Sequence, residues 1–201
     1  MPVMLLCVIV FLIWLNYEIR KANHTQKQND DVFLERERKA NFARPADISN
    51  LEYISVPVDK LPFSETADAT LNEIQDKILA LSKKKILNLT GYSNTDLKLT
   101  YGPSNLPALS DCDYNFTLLA RTLQQWAEYL YNQQEIEKTK IILEYAISCK
   151  TDVSKSYILL ASIYQEEGNY TKIKELKEIA DSLHTLMKDH IIEELTSILK
   201  S

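Results

Sequence analysis

Histidine and cysteine, which often act as catalytic residues or metal ligands, are few in this chain. Their spacing does not match a catalytic or metal-binding motif. His184 and His190 are six residues apart. Since an α-helix makes one turn every 3.6 residues, this spacing places two helical side chains on different sides of the helix. A bound metal ion needs ligands that converge on one point. We therefore predict no metal site at these histidines.

A cysteine between two acidic residues, in Asp111-Cys112-Asp113, is only superficially similar to a reactive thiol site. Ser110 and Asp111 are better explained as N-terminal caps of a helix that begins there, because their side-chain oxygens can accept hydrogen bonds from free backbone N–H groups. The sequence contains no glycine-rich phosphate loop, GxSxG motif or HExxH motif. We predict that the chain is not an enzyme and holds no catalytic residue, cofactor or metal.

The overall charge argues against nucleic acid as a partner. The formal net charge is -5 and the pI is near 5.3, whereas a nucleic-acid surface needs a concentrated basic face. We expect no nucleic-acid partner. An enzyme with an unrecognised site in residues 45–110 stays open as a second alternative, although no catalytic motif supports it.

The first seventeen residues form a strongly apolar segment. The run from Pro2 to Leu15 has no charged residue, and ten of its residues are Val, Leu, Ile or Phe, which favour membrane insertion by about 3 to 6 kcal/mol in total. As a helix, residues 1–17 would measure about 25 Å against a hydrocarbon core of about 30 Å. Trp14 and Tyr17 suit the headgroup boundary. We predict a single-pass transmembrane anchor at residues 1–17 in the cell membrane.

The flanks of the apolar run predict its processing and orientation. A cleavable signal peptide would need a basic start and a small-residue cleavage site, and the run has neither. Basic residues follow the run, and none precedes it: Arg20, Lys21, Lys27 and Arg36. The positive-inside rule then places the soluble domain in the cytoplasm.

One pattern points to the opposite topology. Four asparagines fit the N-glycosylation acceptor pattern: Asn23, Asn88, Asn115 and Asn169. An extracytoplasmic envelope or binding domain on the same anchor is therefore the first alternative.

Four stretches separate the anchor from the C-terminal region. Residues 18–44 are highly charged and predict a juxtamembrane helix or linker. Pro45, Pro57 and Pro62 predict an extended strap over residues 45–63, since proline cannot continue a helix or donate to a sheet.

A helix over residues 66–88 is expected next, because its apolar residues recur at spacings of three and four. They are Leu71, Ile74, Ile78 and Leu81. Ser64 or Thr66 can cap its start. Glycines and prolines then bracket a short irregular or extended insert, in which the alternation over residues 97–101 allows a strand.

From Ala108 to the end, the chain has no proline and one glycine, Gly168, and its apolar residues follow a helical period. We predict a helical domain over residues 111–201. The fold class is thus mainly α, with an N-terminal transmembrane helix and an irregular insert.

A shift of the C-terminal region by thirty-four residues aligns small residues where two helices would touch. The aligned pairs are Ala127 with Ala161 and Ala146 with Ala180. This period, with the segment from Leu160 to Tyr170, resembles the tetratricopeptide repeat family. The resemblance implies two α-α hairpins, at about 120–153 and 154–187, and a C-terminal capping helix. Gln134 stands where the family has its turn glycine, so a plain helical bundle stays open.

Partners of this family usually lie in the groove formed by the first helices of the hairpins. The corresponding outward residues here are Arg121, Gln124, Glu128, Tyr131 and Asn132, then Lys155, Ile158, Ser162, Gln165 and Glu166. An ordinary solvated face would have the same composition. The leading hypothesis is a membrane-tethered cytoplasmic adaptor or scaffold that binds an unidentified protein or peptide through this groove and has no catalytic activity.

Overall fold

The computed structural model describes residues 2–64 and 68–200, and the side chains of all of these except residues 2–8, 13, 23 and 25. Every regular element in this part of the chain is a helix, so the prediction of a mainly α protein is confirmed. The α-helices are α1 (Pro2–Asn41), α2 (Ala69–Leu81), α3 (Asn94–Tyr101), α4 (Leu106–Asn132), α5 (Ile136–Ser148), α6 (Ser154–Glu166), α7 (Tyr170–Asp181) and α8 (Lys188–Ile198).

The chain forms two compact units. Unit 1 contains Met1–Asp47 and Ser93–Leu106, and unit 2 contains Ile48–Tyr92 and Pro107–Ser201. Unit 1 is therefore built from α1, α3 and the 3-10 turn Pro103–Asn105, and unit 2 holds the other helices and the residues of the strap from Ile48 onward.

Helix α1 runs without a break from the apolar run through the charged stretch that follows it. No helix among the described residues is long and apolar enough to cross a membrane. Part of the anchor predicted at residues 1–17 lies outside that description, namely Met1 and the side chains of residues 2–8 and 13.

In unit 1, polar contacts dock α3 onto the end of α1. The Arg36 guanidinium pairs with Asp96, and the Lys98 amine lies 3.1 Å from Glu37. Hydrogen bonds from Thr95 and Lys98 to the Glu37 carboxylate hold its pKa below the ordinary value. The small side chain of Ala40, near the end of α1, is fully buried.

The strand allowed at residues 97–101 is wrong, because this segment lies within α3. Ser93 and Asp96 form a capping box, in which each side chain accepts a hydrogen bond from the other residue's backbone N–H. This cap starts a helix that buries Leu97 and Thr95. The spacing of Ser93 and Asp96 is the signal that could have predicted α3.

The apolar face predicted for α2 is confirmed in unit 2, but the helix is shorter than predicted. Leu71, Ile74, Ile78 and Leu81 are buried, while the helix spans Ala69–Leu81 rather than 66–88. The cap is Asp68, whose side chain accepts from the Leu71 N–H; Thr66 lies outside the described residues. The chain leaves the helix after Leu81, and Ile86, Leu87 and Leu89 are buried in a non-helical segment.

The strap packs on the same core. Val56 and Leu61 are buried, and the Phe63 ring lies 5.0 Å from the Trp126 ring. The Ile54 N–H donates to the Ile86 carbonyl. Helix α4 begins at Leu106, not near residue 111, so Ser110 and Asp111 lie inside it and do not cap it. Pro107 suits such a first turn, where its missing N–H has no intrahelical partner to lose.

Two helix-to-helix turns of unit 2, after α4 and after α6, have the same geometry. Helix α4 ends at Asn132 and α6 at Glu166, thirty-four residues later. Each turn has one left-handed residue at the equivalent position, Gln134 with φ 63° and Gly168 with φ 70°. The Glu135 and Asn169 N–H groups donate back to the carbonyls of Leu130 and Tyr164, which are also thirty-four residues apart.

This turn gives a prediction. Gln134→Gly should raise the free energy of unfolding by up to about 1 kcal/mol, because a left-handed backbone costs a residue with a Cβ about 1 to 2 kcal/mol and glycine returns part of that as chain entropy. Urea unfolding followed by Trp126 fluorescence measures the change. Gln133→Gly is the control, since Gln133 has no positive φ, and it should not stabilise the protein.

Candidate functional site

Side chains of α4 and α6 line an open groove of about 450 Å³ in unit 2. Its lining comes from both helices: Gln124, Glu128, Tyr131, Asn132, Lys155, Ile158, Leu159 and Ser162. The thirty-four-residue shift relates two pairs of these residues, Gln124 with Ile158 and Glu128 with Ser162.

The structure brings six of the eight predicted site residues together around this groove. Arg121 and Gln165 do not line it. Arg121 is exposed on α4, and the Gln165 side-chain amide donates to the Ile198 carbonyl, linking α6 to the end of α8. Leu159 lines the groove although the helical period did not single it out.

Gln124 is not the outward residue that the tetratricopeptide resemblance implied. Its side chain is only 6% exposed, accepts a hydrogen bond from the buried Ser156 hydroxyl and donates to Glu128 at 3.0 Å. This buried pair joins α4 to α6 below the groove. Its partner lies thirty-two residues away, so no local pattern could have revealed it.

The accessible polar groups of the groove differ in whether they have a hydrogen-bond or ion-pair partner. The Lys155 side chain is 76% exposed, and its amine lies 3.5 Å from Glu128, a distance at which the pairing is weak. Among the described residues, the Tyr131 hydroxyl and the Asn132 amide have no hydrogen-bond partner. Ile158 and Leu159 are half-buried and add an apolar surface. The groove therefore offers a cation, the Glu128 carboxylate, neutral polar groups and two aliphatic side chains.

Cys112, Cys149, His184 and His190 are the thiols and histidines that the structure describes in unit 2. Burial raises the pKa of both the Cys112 and the Cys149 thiol, which favours the protonated, unreactive form. His184 and His190 are exposed on unit 2. In the described part of the chain, no group of three His, Cys, Asp or Glu residues could hold a metal ion.

A second surface without a partner lies on α1 in unit 1. Six apolar side chains in the run from Ile9 to Leu15 are exposed: Ile9, Val10, Phe11, Leu12, Trp14 and Leu15. Because neighbouring helical residues point about 100° apart, this run is apolar on every side of the helix. Among the side chains of this run that the structure describes, exposed apolar surface therefore lies on every side of the helix.

The chain matches no protein-family model, no curated protein and no solved structure.

Proposed function

We propose that the chain is an adaptor that binds an extended segment of a partner protein in the groove between α4 and α6, without catalysis of its own. The observation that carries the proposal is the groove itself, in which equivalent positions of two hairpins face one space. The repeated turn geometry supports a tetratricopeptide-like packing, in which the first helices of successive hairpins form a binding surface.

The composition of the groove favours a peptide over a small molecule. An open groove lined in part by two aliphatic side chains accepts side chains of a peptide, while Tyr131 and Asn132 can pair with a peptide backbone. Lys155 can bind a carboxylate of the peptide in place of its weak contact with Glu128. We expect an extended partner segment that carries an aliphatic and an acidic side chain.

The experiment is a crosslinking pull-down with the full chain and a Lys155→Ala, Tyr131→Ala, Ile158→Ala variant. Removal of central contacts should weaken a groove-bound partner by at least about tenfold. Arg121→Ala is the matched control, because Arg121 is an exposed cation on α4 that does not line the groove. Lys155→Ala alone should leave stability nearly unchanged, since that side chain is mostly exposed. A partner retained in full by the triple variant would contradict the proposal.

The proposal also includes a membrane tether through residues 1–17, with the soluble part in the cytoplasm. The all-round apolar surface of α1 supports it, because one helical partner covers one stripe whereas lipid surrounds a helix. A tether matters for an adaptor because it raises the effective concentration of its partner for other proteins at that surface.

Glycosylation of Asn169 distinguishes the cytoplasmic proposal, which expects none, from the extracytoplasmic alternative, which expects it. The amide nitrogens of Asn88 and Asn115 donate to backbone carbonyls, whereas Asn169 is exposed and, among the described residues, only its side-chain oxygen is engaged, as the cap of α7. Expression in a eukaryotic host is expected to give a chain whose gel mobility does not change on endoglycosidase treatment. A mobility shift that is abolished by Asn169→Gln would place unit 2 outside the cytoplasm.

A further inference from the structure

One side of α1 changes character steadily along its length. A shallow recess of about 490 Å³ on this side is lined by Ile9, Leu12, Asn16, Tyr17 and Arg20. The spacings of three and four place Ile9, Leu12, Asn16 and Arg20 in one row. Over this row of about 16 Å, the surface passes from aliphatic through amide and phenol to guanidinium.

The polar end of this row is available to a ligand. Tyr17 and Arg20 are exposed, and neither has a hydrogen-bond or ion-pair partner among the described residues. Glu18 is the nearest carboxylate in sequence, and as a residue two positions from Arg20 it faces another side of the helix. The guanidinium therefore lacks a counterion from its own chain in the described part of unit 1.

We propose that this row binds one anionic glycerophospholipid, with an acyl chain along Ile9 and Leu12 and the headgroup phosphate at Tyr17 and Arg20. An arginine fork bonds phosphate oxygens in pairs, and the tyrosine hydroxyl can donate to another. In phosphatidylcholine the choline ammonium neutralises this phosphate, whereas an anionic headgroup keeps a net negative charge beside the guanidinium. The order of groups along the row is that of the lipid itself. A peptide partner would cover this row but leave the apolar residues on the other sides of α1 in water.

The inference rests on the proposed tether and names its lipid partner. The lipid site requires that the apolar run of α1 enters the hydrocarbon layer, next to the lipid that the row binds. Membrane association itself depends on the apolar run. The lipid site would add a preference for anionic headgroups, and that preference would depend on Arg20.

The test is co-flotation of the full chain with vesicles of phosphatidylcholine alone and with vesicles that also contain phosphatidylserine. The unmodified chain should bind the anionic vesicles about fivefold more tightly, and Arg20→Gln should abolish most of that difference. Arg38→Gln is the control, because it removes the same charge from α1 at a residue that pairs with Glu35. The control should keep the preference.

The two arms separate the inference from the tether. Equal binding of the unmodified chain to both vesicles would overturn the lipid site while the tether stands, and binding to neither would overturn both. Loss of the preference in Arg38→Gln as well as in Arg20→Gln would show a general charge effect and also overturn the site. Excess inorganic phosphate should not reverse the preference, since it supplies no acyl chain; if it does, the row binds free anions and not lipid.

Discussion

Ala161→Leu is expected to lower the free energy of unfolding of unit 2 by about 1 to 3 kcal/mol, because added methyl groups in a packed core force neighbouring side chains and backbone to shift. Ala161 has no exposed surface, and its helix α6 contacts α5, α7 and α8. A leucine there has no open direction. Urea unfolding of the full chain, followed by the fluorescence of the buried Trp126, measures the change.

Ala80→Leu is the matched control for this overpacking. Ala80 is an exposed residue of α2, also in unit 2, so the same substitution meets water there and should change stability by less than about 0.5 kcal/mol. If Ala161→Leu is as stable as Ala80→Leu, the close contact of α6 with its neighbours is wrong, and the groove that α6 forms with α4 loses its basis.

The helical period was a good guide to buried faces but a poor guide to helix ends. Ala127, Ala146, Ala161 and Ala180 align at the thirty-four-residue shift, and each is at most 1% exposed. Periodicity predicts this because it reflects which side of a helix meets the core. The ends depend on single hydrogen bonds, such as the one that Asp68 accepts from the Leu71 N–H, and these leave little trace in an apolar pattern.

In the candidate groove, too, features set by local sequence could be predicted, whereas features set by contacts with distant residues could not. The positions implied by the thirty-four-residue shift were enough to identify Glu128, Tyr131 and Lys155, which line one groove. They were not enough to predict that Gln124 is buried, because its burial depends on Ser156 in another helix. Similarly, Gln165 is bound to α8, and a repeat pattern alone contains no information about the helix that follows the last repeat.

Gly91→Ala should be the most damaging of the small substitutions in unit 2, with a loss of about 2 to 5 kcal/mol from strained backbone and overpacking together. Gly91 has φ +92°, and an added Cβ would lie 2.7 Å from the His184 carbonyl oxygen. The loop has little freedom to retreat. The Asn88 amide donates to the Cys149 and Lys150 carbonyls, and the Leu89 N–H donates to Asp113.

Gly168→Ala separates the two causes of this loss. Gly168 also has a left-handed backbone, with φ +70°, but an added Cβ would meet no atom within 4 Å. It should therefore cost only about 1 kcal/mol, from backbone conformation alone. Equal losses at the two glycines in urea unfolding would mean that Gly91 has no close neighbour. A loss at Gly91 that exceeds the loss at Gly168 by more than about 1 kcal/mol would place the loop after α2 against the turn that joins α7 to α8.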